Sequence, residues 1–186
     1  MSIASSSLDA ATARIVALLP DAVPRCGATV VVAIDGPSGS GKTTLADALS
    51  ARMGAVTVHM DELYPGWDGL VAGVDYLVDQ VLRPLAAGRP ARPRVWDWAA
   101  STRGRVRIVA PSPLLVVEGC GASVGEASAY VSLRVWVDAP REVRRARGLA
   151  RDGETFRPHW ERWAAQEDAL FAADGTRARA DLMVET

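Results

Sequence analysis

Along the chain, continuous apolar runs alternate with stretches whose apolar positions recur every three to four residues. Residues 28–34 read ATVVVAI, a β-branched run of the kind that forms a strand buried on both faces of a parallel sheet. Four more short runs follow at 55–59, 114–118 (LLVVE), 131–137 (VSLRVWV) and 182–184. Helical spacing fills the intervals, over 42–53, 75–87, 140–151 and 158–173. Before the first strand, Leu8, Ile15, Leu18 and Leu19 place an amphipathic helix over 8–19, which Pro20 and Pro24 stop. Five strands separated by helices predict an α/β fold: a three-layer sandwich with a five-stranded parallel sheet and helices on both faces.

Residues 89–113 break the alternation. They carry four prolines, and the alternating RVRIV at 105–109 predicts a small excursion off the main sheet. At 186 residues the chain is expected to form a single domain over 1–186, with 1–27 as a covering helix and linker. Hydrophobic residues at 49% and charged residues at 23% match an ordinary globular protein. A formal net charge of -1 argues against a nucleic-acid partner and for a small ligand. No apolar run reaches the length of a membrane helix, and no basic and apolar leader precedes the two cysteines, Cys26 and Cys120. The expected setting is the cytoplasm, without a membrane partner. The sequence is silent on oligomeric state.

Residues 36–43 read GPSGSGKT, which satisfies GxxxxGK[ST] directly after a buried strand and before a helix. A glycine-rich turn that only caps a helix is the simpler alternative, but strand, loop and helix in register favour a phosphate-binding loop, and hence a P-loop NTPase fold. Gly36, Gly39 and Gly41 allow successive amides to face one anion, with the helix N-terminus behind them. The triphosphate-binding set is then Gly36, Ser38, Gly39, Ser40, Gly41, Lys42, Thr43 and Thr44, with ATP and Mg²⁺ as the implied cofactors. Lys42 reaches the terminal phosphates, and the Thr43 hydroxyl ligates Mg²⁺. Lys42 is also the only lysine among 21 basic residues, and Asn is absent altogether.

Asp61 and Glu118 follow or end predicted strands, and the carboxyl ends of parallel strands line the ligand crevice. Phosphoryl transfer to a hydroxyl needs one carboxylate to orient or deprotonate the acceptor and another to hold the metal. Asp61 is assigned the first role and Glu118 the second, with the roles interchangeable, so both are also candidate metal residues.

With these residues in place, the chain resembles the uridine kinase group of P-loop nucleoside kinases, related to pantothenate kinase and phosphoribulokinase, over roughly residues 29 to 185. MDELY at 60–64 is similar to the family's aspartate followed by aromatics, which implies Asp61 as catalytic base and Tyr64 beside the substrate. WDG at 67–69 resembles a pair whose aspartate binds the ribose, which implies that role for Asp68. RVWDWAASTR at 94–103 resembles an acceptor-binding segment and implies Trp96, Asp97 and Arg103 as substrate contacts. Ser101 stands where the uridine kinases carry a base-contacting histidine. REVRRARGLARD at 141–152 resembles the family's lid, expected over 140–157, and implies catalytic roles for Arg144, Arg147 and Arg151. Their spacing alone puts these three guanidiniums along one helical face.

The function expected is transfer of the γ-phosphoryl group of ATP to a hydroxyl of a nucleoside-like small molecule. Two alternatives stay open: a kinase for a sugar, vitamin or antibiotic hydroxyl, and an ATP-binding regulatory module without turnover. A GTPase is disfavoured, because guanine recognition commonly uses an NKxD motif and the chain has no Asn. Trp160, Trp163 and Phe171 read as core, and His59 and His159 stand too far apart in sequence to point to a metal site.

Overall fold

In the computed structural model, which describes residues 5–186, the five apolar runs form one sheet. Residues 1–4 of the expected 1–27 covering segment lie outside the described residues. The strands are β1 (Val30–Asp35), β2 (Val56–His59), β5 (Leu114–Glu118), β6 (Leu133–Asp138) and β7 (Leu182–Glu185). Their spatial order is β2-β5-β1-β6-β7, and every neighbouring pair is parallel. The excursion is an antiparallel hairpin of β3 (Arg94–Asp97) and β4 (Thr102–Val106), a separate two-stranded sheet.

Two cores lie on opposite faces of the sheet, because successive residues of a strand point to opposite sides. Val32 and Ile34 of β1 pack with α1 (Ser5–Leu18) and α2 (Lys42–Met53), through Ile15, Leu45 and Leu49. Val31 and Ala33 pack on the other side with α3 (Leu70–Leu77) and α6 (Trp160–Asp174), through Leu70, Leu77, Trp160 and Trp163. Ile15 is fully buried as its spacing requires, whereas Leu18, one turn on, faces outward at 37% exposure.

Two helices depart from the expected bounds. The helix expected from residue 75 starts at Leu70, where the apolar residues Leu70, Val74 and Leu77 already point inward. It widens into a π turn at Val78–Leu82 before continuing as α4 (Arg83–Ala86). Pro84 explains the widening: it has no N–H to return to the preceding turn. α5 (Arg141–Phe156) runs past the expected end at 151 and breaks at Gly153, whose φ of 58° and ψ of -135° are non-helical.

The hairpin is anchored over the end of β2. Arg107 donates to the Thr57 carbonyl at 2.5 Å and pairs with Glu62, and Trp98 Nε1 donates to the Asp61 carbonyl at 2.9 Å. Among the described residues no helix is long and apolar enough to cross a membrane.

Candidate active site

With β1 central and β5 and β6 beside it, three strand ends converge on the loop at 36–43. Asp35, the last residue of β1, is buried and accepts hydrogen bonds from the amides of Gly36, Gly121 and Ser123 and from Ser123 Oγ, at 2.8 to 2.9 Å. Burial raises the pKa of this carboxyl, and the four donors act against that rise. Asp35 thus ties the start of the loop to the segment after β5.

The glycines are there for close approach. A Cβ on Gly36 would sit 2.1 Å from the Val137 carbonyl oxygen of β6, and one on Gly39 would sit 2.2 Å from the Arg144 carbonyl oxygen of α5. Gly41, at φ 96°, turns the chain into α2, whose first amides have no partner within the helix.

Lys42 is buried, and its Nζ donates to the Pro37 carbonyl at 2.9 Å and lies 3.7 Å from Cys120 Sγ. Burial lowers its pKa, but the attraction of Cys120, Glu167, Glu118 and Asp35 outweighs it and the net direction is up. Thr43 Oγ1 donates to Glu118 Oε2 at 3.3 Å, and Glu118 Oε1 lies 2.7 Å from His59 Nδ1. The bond to Glu118 raises the His59 pKa against the opposing effect of burial.

Two cavities open on this floor. One, of about 490 Å³, is lined by Asp61, Glu118, His59, Thr43, Arg151 and a set of aromatics. The other, of about 410 Å³, is lined by Gly39, Gly41, Lys42, Thr43, Thr44, Arg147 and Arg151. Thr43 and Arg151 line both, so the cavities meet at these two residues. Asp61 reaches solvent at the surface, yet the enclosing protein, and then Glu118, raise its carboxyl pKa against the pull of Arg151 and Lys42.

Of the residues singled out in the sequence, Ser38, Thr43, Asp61, Tyr64, Glu118 and Arg151 gather around the first cavity, and the loop residues and Arg147 around the second. Gly36 and Ser40 lie buried within the loop, and Ser40 Oγ has no hydrogen-bond partner.

The three lid arginines are not a single set. Arg144 is buried at 8% exposure, with Nε on the Ala139 carbonyl (3.0 Å) and Nη1 on the Ser38 carbonyl (3.4 Å), so it braces the loop from beneath. Arg147 donates to Thr186 Oγ1 at 2.8 Å, and Arg151 pairs with Asp152 at 2.7 Å.

Four expected substrate contacts stand outside the first cavity. Asp68 is exposed and pairs with Arg162 of α6 at 3.2 Å. Asp97 caps its own turn, accepting from the amides of Ala99 and Ala100. Arg103 lies 3.6 Å above the Tyr76 ring, and Trp96 is half-buried with its indole N–H unpartnered. Alternation alone would put Trp96 and Trp98, two residues apart, on one face, but β3 ends at Asp97, and Trp98, in the turn beyond it, is the one that lines the cavity.

That wall contains residues the sequence reading passed over. Trp67 packs at 4.6 Å on Trp98, stacks at 5.3 Å on Phe156 and at 4.7 Å on His159, and lies edge-on to Trp163. Trp67 was legible as the neighbour of Asp68. Trp163 carried only a helical core pattern, Phe156 carried no signal, and His59 only a strand-end position.

The topology, the glycine-rich loop after β1 and the acidic ends of the neighbouring strands define a P-loop NTPase fold. Its relatives are kinases. The chain is 34% identical over 134 residues to a cytidylate kinase of Methylococcus capsulatus, covering 66% of this chain and 55% of that protein. It is 26% identical over 137 residues to a uridine kinase of Borrelia duttonii, covering 66% of each. A solved structure described as a possible uridine kinase from Bacillus stearothermophilus superposes with a TM-score of 0.68 at 23% identity, over 96% of this chain and 97% of that one. The matched region thus spans little more than half the length of the cytidylate kinases. No family model matches the chain.

Proposed function

We propose that this protein is a small-molecule kinase that transfers the γ-phosphoryl group of ATP to a hydroxyl of an uncharged, nucleoside-like acceptor. The observation that carries the proposal is the meeting of the two cavities at Thr43 and Arg151. A triphosphate along the loop would end there, and an acceptor in the aromatic cavity would present its hydroxyl there beside Asp61.

In this reading the amides of Gly39 and of Gly41 to Thr44 grip the phosphates, Lys42 pairs with the terminal ones, and Asp61 orients and accepts the hydroxyl proton. Arg151, which lines both cavities, neutralises charge at the transferring group, and Arg147 supports the donor side. Thr43 Oγ1 and Glu118 Oε2 are adjacent hard oxygens that suit Mg²⁺, which keeps most of its remaining shell as water and phosphate oxygens. When bound, Mg²⁺ supplies neutralising charge between the phosphates.

The relatives include both nucleotide and nucleoside kinases by name, and the lining of the first cavity favours the second kind. Asp61, Glu118 and Asp152 face it, against Arg151 and the His59 already paired with Glu118. An acceptor bringing its own phosphate would meet excess negative charge, whereas an uncharged ring suits Trp67 and Trp98. Buried free thiols at Cys26 and Cys120 accord with action in the reducing cytosol.

The test is ADP release with Mg²⁺-ATP across uridine, cytidine, cytidine monophosphate and non-nucleoside alcohols. Nucleoside-dependent release, with the monophosphate inert, is expected. Release with a non-nucleoside alone would move the acceptor class, and tight ATP binding with no turnover on any acceptor would favour a regulatory module.

A further inference from the structure

We infer that Glu167, on α6, is a positioning residue that holds the phosphate loop and the acceptor wall in one register. Its exposure is 1%, and four donors converge on its Oε1: the Ser38 amide at 2.9 Å, Ser38 Oγ at 2.6 Å, Cys120 Sγ at 2.9 Å and Trp163 Nε1 at 2.7 Å. The inference rests on the reading of this loop as the triphosphate site.

A carboxylate here is expensive. It sits on a helix face whose neighbours Trp163 and Ala164 are buried, where an aliphatic side chain would pack without desolvating a charge. The donors it collects come from three different parts of the site. Ser38 belongs to the loop and also lines the acceptor cavity, Cys120 lies beside Lys42 after β5, and Trp163 lines the acceptor cavity. One oxygen therefore links the loop, the β5 end and the aromatic wall.

The bond to the Ser38 amide has a geometric consequence. An amide committed to Glu167 does not face the anion nest, so the nest begins at Gly39. Arg144 Nη1 reaches the Ser38 carbonyl, so both polar ends of this residue's backbone are held by helices that come after the sheet's fourth strand. Held on both sides, the loop keeps its shape without a triphosphate, so little binding energy goes to ordering it.

The test is equilibrium titration with Mg²⁺-ATP of the wild type, Glu167→Gln, Ser38→Ala and the double variant, beside ligand-free thermal unfolding. Glu167→Gln keeps the size and one acceptor oxygen, and Ser38→Ala removes one hydroxyl. Each single variant is expected to weaken ATP affinity about tenfold, Glu167→Gln by removing the charge that its four donors share and Ser38→Ala by removing one bond to it. The double variant is expected to bind no more weakly than the worse single one, because both disrupt one contact.

A merely structural Glu167 would lower the melting temperature and leave the affinity of folded protein unchanged. That result, or strictly additive losses, overturns the inference. Should Glu167→Gln fail to fold, Ser38→Ala decides: wild-type affinity overturns the inference, and weakened affinity at an unchanged melting temperature supports it. Wild-type protein that binds no triphosphate would instead overturn the kinase reading, and the inference with it.

Discussion

Glu118 bridges Thr43 and His59: Oε2 accepts from the Thr43 hydroxyl at 3.3 Å while Oε1 lies 2.7 Å from His59 Nδ1. The last residue of β5 therefore connects the phosphate loop to the end of β2, and protein partners alone orient the carboxylate.

That orientation makes a metal-specific prediction. Glu118→Gln keeps the shape but loses the charge, and the Mg²⁺ concentration needed for half-maximal ADP release is expected to rise about 10- to 100-fold. Titrating the rate with Mg²⁺ at saturating ATP measures it, and an unchanged midpoint would remove Glu118 from the metal site.

Asp61 predicts a pH profile. Its folded-state pKa is raised by enclosure and by Glu118. As a base it works ionised, so kcat/KM should rise through an acid limb lying above the ordinary carboxylate value of 3.8. Asp61→Asn should lower kcat by about 10²- to 10⁴-fold. Stability moves the other way. A raised folded pKa means stability that is present below 3.8 is lost as pH rises through the folded value, so Asp61→Asn should be more stable than wild type at neutral pH. Denaturant midpoints at pH 3 and 7 check the sign.

Gly39 and Gly54 make a matched pair, with φ 77° and 64°. A Cβ on Gly54 meets nothing within 4 Å, while one on Gly39 would sit 2.2 Å from the Arg144 carbonyl oxygen. Gly54→Ala should therefore cost about 1 kcal/mol of stability with ATP binding intact. Gly39→Ala should displace α5 from the loop and abolish binding, as read by calorimetric titration.

Cys26 is fully buried, its thiol donates to the Leu82 carbonyl at 3.3 Å, and burial pushes its pKa from 9.0 to about 11. The thiolate forms earlier in the unfolded chain, so the stabilising contribution is complete below pH 9.0 and is lost toward about 11. Cys26→Ala should flatten that part of the stability curve. In native protein at pH 8, a thiol reagent should label Cys26 far more slowly than in urea.

How much of this was legible in the sequence differs from residue to residue. The strand at 30–35 and the loop after it were readable because a buried parallel strand needs a continuous apolar run, and because the loop motif at 36–43 is eight consecutive residues. The start of α3 was not, since YPGWDG reads as turn while Leu70 is already held by the core of one sheet face.

The same division runs through the site. What the sequence determined by itself was everything encoded within a few residues: the strand and helix periods, the glycines of the loop, the sole lysine at its end, and the acids Asp61 and Glu118 at strand ends. Only the tertiary structure decided which arginines reach the cavities, since Arg144, Arg147 and Arg151 share one helical spacing yet Arg144 lies pressed beneath the loop. It likewise chose Trp98 over Trp96 for the wall and brought Glu167 onto Ser38, 129 residues away. The physical reason is common to all three: local spacing sets which way a side chain leaves its own element, but what it meets there depends on elements the chain adds much earlier or later.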